Sequence, residues 1–500
     1  MESSTSTAVK QEALEQQPPS LKRFSRRALL GLGALGAAAR AEAQVRTPTR
    51  SRPMRVPDAE IRLLRRVTNG VTTEDTAWIS SLGYQQYLEW QLAPEAMGDP
   101  EAEARCQAFT TTTLAPFSLY GQDSAVVTRE VAEAMIIRAI YSNRQLYERM
   151  VEFWSDHFHT NLNTVGIHKT YEDRECIRKN ALGTFFGLLG ASASSPAMLT
   201  YLNNTQSTRT APNQNYAREV LELHTLGVDG GYTQQDVQEV AKCFTGWRVQ
   251  GNTNDARAGL FYFDSNRHDN NSKLVLGVPI AAGGGLNDGM NVINILANHP
   301  STAKFVARKM LRWLLDYNPS TTLVNDIAGE FTRTQGSVKA LIRRILSYEN
   351  VLWAPPLFKR PHHYISSALR VLNANVTSLN TIRGTYLNGT GHAPFAWGPP
   401  NGYPQSFEYW GTLPLPRWNF AFNLANNGIG GVAVDLPALL MGATTAAQIA
   451  DRIDTVVFAG QMPSADKAAI ITYLKPDPPS QTRIRDAFGL AIASPAFQWY

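Results

Sequence analysis

The sequence predicts a predominantly all-α protein: a multi-helical globular domain with one long irregular region of Gly, Pro and aromatic residues, and room for one small hairpin. Three observations carry that expectation. Apolar residues recur at helical spacing through most of the chain beyond residue 57. Ser, Thr, Asp or Pro precede those stretches and Gly follows several of them, as at helix ends. A strand-like run stands out only at Leu260-Phe261-Tyr262-Phe263, inside an Asn/Gly-rich segment.

In order along the chain, Asp58 caps a helix that runs through Leu63, Leu64 and Val67 and ends at Gly70. Thr73, with Glu74 and Asp75 in the first turn, opens a second that stops at Gly83, and 84–92 makes a third. Residues 128–159 read as one long helix with apolar Val131, Met135, Ala139, Leu146, Met150 and Trp154. Helices follow at 170–189 and 196–202, then at 213–227, opened by Pro and Asn and closed by Gly227. Thr233-Gln234-Gln235-Asp236 starts, in capping-box fashion, a helix reaching Phe244. Helices resume at 300–315, with Pro in the first turn, then at 338–346 and 363–372. Residues 373–416 form the irregular region, and a loop of that length points to function. Helices at 445–457, 464–474 and 481–492 finish the chain. The expected organisation is a leader (1–43), a linker (44–57) and one large helical domain (58–500). Lobes at 58–250 and 288–500, joined by the loop-rich 251–287, are an option within it.

Five hundred residues that are 43% hydrophobic can bury a large core. The formal charge is +5, but residues 1–43 hold six basic and four acidic side chains, so +3 remains beyond them. That dispersed excess gives no nucleic-acid footprint. Near the N-terminus, Ser25-Arg26-Arg27-Ala28-Leu29-Leu30 precedes a short Gly/Ala-rich apolar run and the small-x-small site Ala41-Glu42-Ala43. This pattern reads as a twin-arginine export signal, which places the mature protein in the periplasm or outside the cell. No later stretch approaches 18 uninterrupted apolar residues, so no transmembrane segment is expected. Cys106, Cys176 and Cys243 are too few for a disulfide framework; three buried thiols, or one bridge and an odd thiol, fit the number.

The 213–227 helix carries the most suggestive chemistry. At roughly 100° per residue, Asn215, Arg218, Glu219 and Glu222 share one stripe, beside the apolar Tyr216, Val220 and Leu223. His224 lies opposite Asn215 and reads as a packing or capping histidine. The stripe is either a site with two carboxylates for acid/base or metal chemistry, or a surface Arg218–Glu222 pair. On the 128–159 helix, His157 faces inward with Met150, Trp154 and Phe158. It is a buried neutral histidine, or else a metal ligand or general base. Glu152, Asp156 and His159 fall on the other side, where solvent is expected. His268 and Asp269, followed by Lys273, can bind a metal, an anion or a sugar hydroxyl, or form a turn through local backbone bonds. Lys359-Arg360-Pro361-His362-His363 reads as an anion patch or as punctuation before a helix. Trp397, Tyr403, Tyr409 and Trp410 would line a carbohydrate or aryl groove, or fill core under an irregular cover.

Phe153-Trp154-Ser155-Asp156-His157-Phe158, the 213–227 helix and Gly246-Trp247 resemble the bacterial domain-of-unknown-function 1800 family. The resemblance extends from Leu63-Leu64-Arg65-Arg66 to Ala493-Ser494-Pro495-Ala496-Phe497. Between these lie His268-Asp269 with Lys273, His299-Pro300 with Ala303, Lys359 with Pro361, and Pro399-Pro400-Asn401-Gly402-Tyr403-Pro404 with Trp410. It implies export, and an exported sulfatase-like partner encoded nearby. One departure is Gln214, where the family commonly carries Glu between two asparagines; the change removes a third acid from that helix.

The leading expectation is an extracytoplasmic enzyme. Its catalytic set would be His157, Asn215, Arg218, Glu219, Glu222, His268 and Asp269, with Lys273, Trp397, Tyr403 and Trp410 contacting a carbohydrate or other substrate. Acid/base hydrolysis is one chemistry that fits. The other uses a divalent metal ion whose candidate ligands are Glu219 or Glu222, His157 and, as an option, His268. A non-enzymatic assembly or surface-binding protein is the alternative, with the same polar groups as buried structural networks.

Overall fold

The structure, a computed structural model, describes residues 57–500. The segment expected to be a twin-arginine leader and nearly all of the expected linker lie outside the described residues, as does the Asp58 side chain expected to cap the first helix. Helices dominate, accompanied by three two-stranded antiparallel sheets. Local chemistry sets many of the helix ends. Thr72 rather than Thr73 caps the helix Thr73–Leu82, in a capping box with Asp75. Thr233 and Asp236 form a second box ahead of Gln234–Cys243. Pro300 takes the first helical position of Pro300–Leu314.

The expected 128–159 helix is two helices, Ser124–Tyr141 and Gln145–His157. A distant residue breaks it: the Asp99 carboxylate accepts from Ser142 Oγ at 2.6 Å and from the Asn143 amide at 2.7 Å. Residues 170–189 likewise divide, into a π-helical segment Glu172–Ile177, a 3₁₀ turn and the helix Phe185–Ala193. Helices Leu286–Ala297 and Thr321–Arg333 were not expected from the sequence. The hairpin forms where expected, with Trp247–Val249 pairing antiparallel with Phe261–Phe263. A second joins Lys273–Val275 to Val278–Ile280, and a third pairs Asn375–Val376 with Val432–Ala433. The irregular region is interrupted by the π-helical Ile382–Leu387 and ends as the helix Pro414–Ala425 begins.

Buried apolar side chains form two main cores. The first runs from Ala59 to Ala354 and takes Leu146, Met150, Phe153 and Trp154 from Gln145–His157. The loop-rich segment belongs to it through Val275 and Ile280. The second takes Tyr364, Ile365, Ala368 and Leu369 from the helix Pro361–Val371 and continues to Phe497. Residues 357–359 pair with the C-terminal end: Leu357 and Tyr500 exchange backbone hydrogen bonds, and the Lys359 amide donates to the Gln498 carbonyl. No helix among the described residues is long and apolar enough to cross a membrane. The three cysteines are unpaired; Cys176 and Cys243 are buried and Cys106 is half-buried.

Candidate functional site

The 213–227 stretch begins as the helix Gln214–Glu219, capped by Asn213, and continues as a π-helical turn, Val220–Thr225. Its polar stripe faces outward. Asn215 is exposed, Arg218 donates to Gln234 Oε1 at 3.0 Å, and Tyr232 donates to Glu222 Oε2 at 3.1 Å. Gln214, the departure from the family pattern, accepts from Gln234 Nε2 at 2.8 Å. Half-burial raises the Glu219 carboxyl, helped by the Glu222 charge and opposed by Arg218.

His157 meets the buried side of the same stretch rather than its polar stripe, ringed by Phe153, Trp154, Phe158 and Phe185, with Nε2 3.0 Å from the His224 carbonyl oxygen. Burial, with help from Lys309 and His224, holds it well below the usual histidine range. His159 is also buried, which corrects the expectation of solvent. The helix ends at His157, so the wheel stops applying, and His159 Nε2 donates to the Trp397 carbonyl at 2.7 Å.

His268 and Lys273 are brought together by a residue the sequence reading did not single out. Asp288 Oδ2 lies 3.1 Å from His268 Nε2 and 2.5 Å from Lys273 Nζ, all three side chains buried. Asp269 forms a local turn, accepting from the Asn271 amide at 2.9 Å. Among the described residues no three His, Cys, Asp or Glu side chains are placed to hold a metal ion, so His157, Glu219, Glu222 and His268 form no joint ligand set.

The aromatics of the irregular region stack on one another and on His392, whose ring centre lies 4.3 Å from Tyr403 and 4.8 Å from Trp410. Their polar atoms bond within the region: Tyr403 to the Ala393 carbonyl, Trp410 to that of Pro404, and Trp397 to Asn401. The segment is pinned by Gly402, whose φ of +71° suits glycine and whose added Cβ would stand 2.0 Å from the Asp156 carbonyl oxygen.

Beneath that cover is a buried cluster of charged and imidazole side chains. Glu152 and Asp156, expected at the surface, are buried, because the helix Gln145–His157 is enclosed on all sides. Arg360 bridges them, with Nη1 2.6 Å from Asp156 Oδ2 and Nη2 bonded to Glu152 Oε1. Its guanidinium lies 4.4 Å from the Trp313 ring centre. Pro361 directly follows it and fixes the first turn of Pro361–Val371, delivering His362 and His363 to the same place. His362 Nδ1 stands 3.6 Å from Glu152 Oε1, and neither ring nitrogen has a hydrogen-bond partner. The His362 amide donates to His392 Nδ1 at 3.0 Å. His363 meets Arg149 at 3.2 Å, and Arg149 donates to the Tyr500 hydroxyl at 3.0 Å.

The two carboxyls are driven apart. Burial works against ionisation of both. At Glu152 the Arg360 charge, aided by His362, overcomes it and holds the group well below the usual carboxylate range. At Asp156 burial prevails, and the neighbouring Glu152 charge adds to it, so the group is raised despite Arg360. Burial, then Arg360, keeps His392 neutral. The sequence contained a signal for this centre: an i, i+4 carboxylate pair and a Lys-Arg-Pro-His-His run with no local partners. Only the fold shows that the two face each other.

No curated protein and no solved structure matches the chain. A family model described as a protein of unknown function, DUF1800, matches residues 62–499, a span that holds the carboxylate pair, the bridging arginine and the covering loop. The chain therefore belongs to the DUF1800 family.

Proposed function

We propose that this chain is an exported acid–base enzyme, hydrolase-like in chemistry, working where its two cores meet. The observation that carries this reading is the Glu152–Asp156 pair on one guanidinium, with one carboxyl held ionised and its neighbour raised. Glu152 is the proton acceptor that activates water, and Asp156 is the proton donor to the leaving group. Each keeps one oxygen outside its bond to Arg360. His362, whose Nδ1 stands 3.6 Å from Glu152 Oε1, passes the proton onward. The twin-arginine pattern supports export by that route, and the nearby sulfatase-like partner remains part of the proposal. The metal chemistry has no donor set to rest on among the described residues.

The test uses the mature chain recovered from its export compartment. Glu152→Gln and Asp156→Asn should each lower turnover of chromogenic esters by roughly 100-fold or more while thermal unfolding shows a folded protein. The infrared band of a protonated carboxyl should persist at pH values above the ordinary aspartate range and vanish in Asp156→Asn. Absence of that band, with both variants as active as the parent, rejects the proposal. A large stability loss with undiminished turnover would assign the centre to structure.

A further inference from the structure

Beside the carboxylate pair, the surroundings turn strongly cationic. Arg66, Arg149, Lys359 and Arg417 are buried, and among the described residues none has a carboxylate within ion-pair distance. Their bonds go to neutral groups: Arg66 to the Pro355 carbonyl, Lys359 to Ser367 Oγ at 2.9 Å, and Arg417 to the Lys359 carbonyl at 2.8 Å. Burial pulls Arg66 and Arg417 down to about 10, and burial with three neighbouring guanidiniums pulls Lys359 well below the usual lysine range. Uncompensated buried cations are costly unless an anion joins them.

A cavity of about 20 Å³ opens within this field, lined by Arg149, Arg312, Trp313, Arg360, His363 and Gln405 among others. Trp313 is shared between them: the Arg149 and Arg360 guanidiniums lie 5.2 and 4.4 Å from its ring centre. Among the described residues Arg149 Nε and Trp313 Nε1 are buried N–H groups without acceptors, and both side chains line the cavity. Arg312 is exposed at its edge. Unsatisfied donors, two guanidiniums in the lining and a small volume favour a compact anion rich in acceptor oxygens.

We infer that the cavity between Arg149, Trp313 and Arg360 is an oxyanion subsite, and that the substrate of the Glu152–Asp156 centre carries a compact tetrahedral oxyanion of the phosphate or sulfate class. The inference rests on the acid–base reading for its word "substrate", but the subsite itself does not. Arg360 belongs to both places, so an anion seated there sets the reacting bond beside the carboxylates.

The probe is inorganic phosphate, titrated into the mature chain by calorimetry at fixed ionic strength. Saturable binding at a single site is expected, with a matching rise in Tm. Trp313→Phe, which removes the indole N–H and narrows the ring beneath both guanidiniums, should weaken phosphate about tenfold. Arg312→Gln should weaken it less and flatten the salt dependence. Glu152→Gln, which removes a nearby negative charge, should tighten it. No saturable binding, equal stabilisation by chloride at matched ionic strength, or unchanged affinity in Trp313→Phe overturns the subsite. Phosphate bound as described, with turnover insensitive to Glu152→Gln, overturns the acid–base reading and leaves the subsite standing.

Discussion

A β-carbon on Gly402 would stand 2.0 Å from the carbonyl oxygen of Asp156, so the covering loop touches the carboxylate helix with backbone alone. Gly402 also holds φ +71°. Gly402→Ala therefore meets both a left-handed strain of roughly 1–2 kcal/mol and a contact that only displacement can relieve. The expected outcome is a loss of about 3 kcal/mol or more in chemical unfolding. His392 and Tyr403 should become more exposed in the remaining folded protein, read by tyrosine fluorescence quenching. Unchanged stability would mean that the loop does not sit on the helix.

Arg360 is the member of the centre whose loss costs most. Arg360→Met leaves two buried carboxyls, one of them held ionised by that guanidinium alone among strong partners. Breaking a buried ion pair by removing one partner costs about 3–5 kcal/mol. Lowering the pH towards 4 should recover part of that loss, because protonation discharges the orphaned carboxyls. Equal destabilisation at pH 4 and pH 7 would argue against the ion pairing.

These two residues show what the sequence could and could not reveal. Helix ends at Thr72, Thr233 and Pro300 were legible, to within one residue, because capping is decided within three or four positions. The centre was not, since Arg360 and Asp156 are 204 residues apart. A helical wheel separates faces but does not say which face meets solvent. For Gln145–His157 neither does, so Glu152 and Asp156 were misplaced. The break at Ser142 was hidden for the same reason, being imposed by Asp99 from 43 residues away.

Stability should fall on acidification before the carboxylates begin to titrate. Burial holds His157, His363 and His392 well below their ordinary value, and pulls His159 and His224 from 6.5 to about 3. The unfolded chain therefore binds protons below pH 6.5 that the folded chain refuses. This contribution is fully present above pH 6.5 and is lost as the pH drops towards 3. Each such histidine costs on the order of 1.4 kcal/mol per pH unit within that window. Urea unfolding at pH 7.5 and 5.5 should reveal a steep loss, and His224→Phe should reduce the slope. A flat profile over that interval would contradict burial of these rings in neutral form.

The His268–Lys273–Asp288 network makes the opposite kind of prediction, because it is buried and its two basic side chains meet on one oxygen, Asp288 Oδ2. Lys273 also donates to the Asp269 carbonyl, and His268 Nδ1 lies 2.8 Å from that of Thr245, so the cluster staples the Asn-rich loop to the helix Leu286–Ala297. Asp288→Asn removes the only carboxylate in ion-pair contact with Lys273 among the described residues, leaving a buried ammonium. A loss of about 3–5 kcal/mol is expected, with hydrogen exchange accelerated first in the two hairpins. Lys273→Met together with Asp288→Leu should recover much of it, as apolar replacement of a buried pair often does. Phosphate affinity and turnover per folded molecule should be the same in the double variant as in the parent. If they collapse instead while the fold is intact, the network contacts the reacting groups and the centre extends beyond Glu152, Asp156 and Arg360.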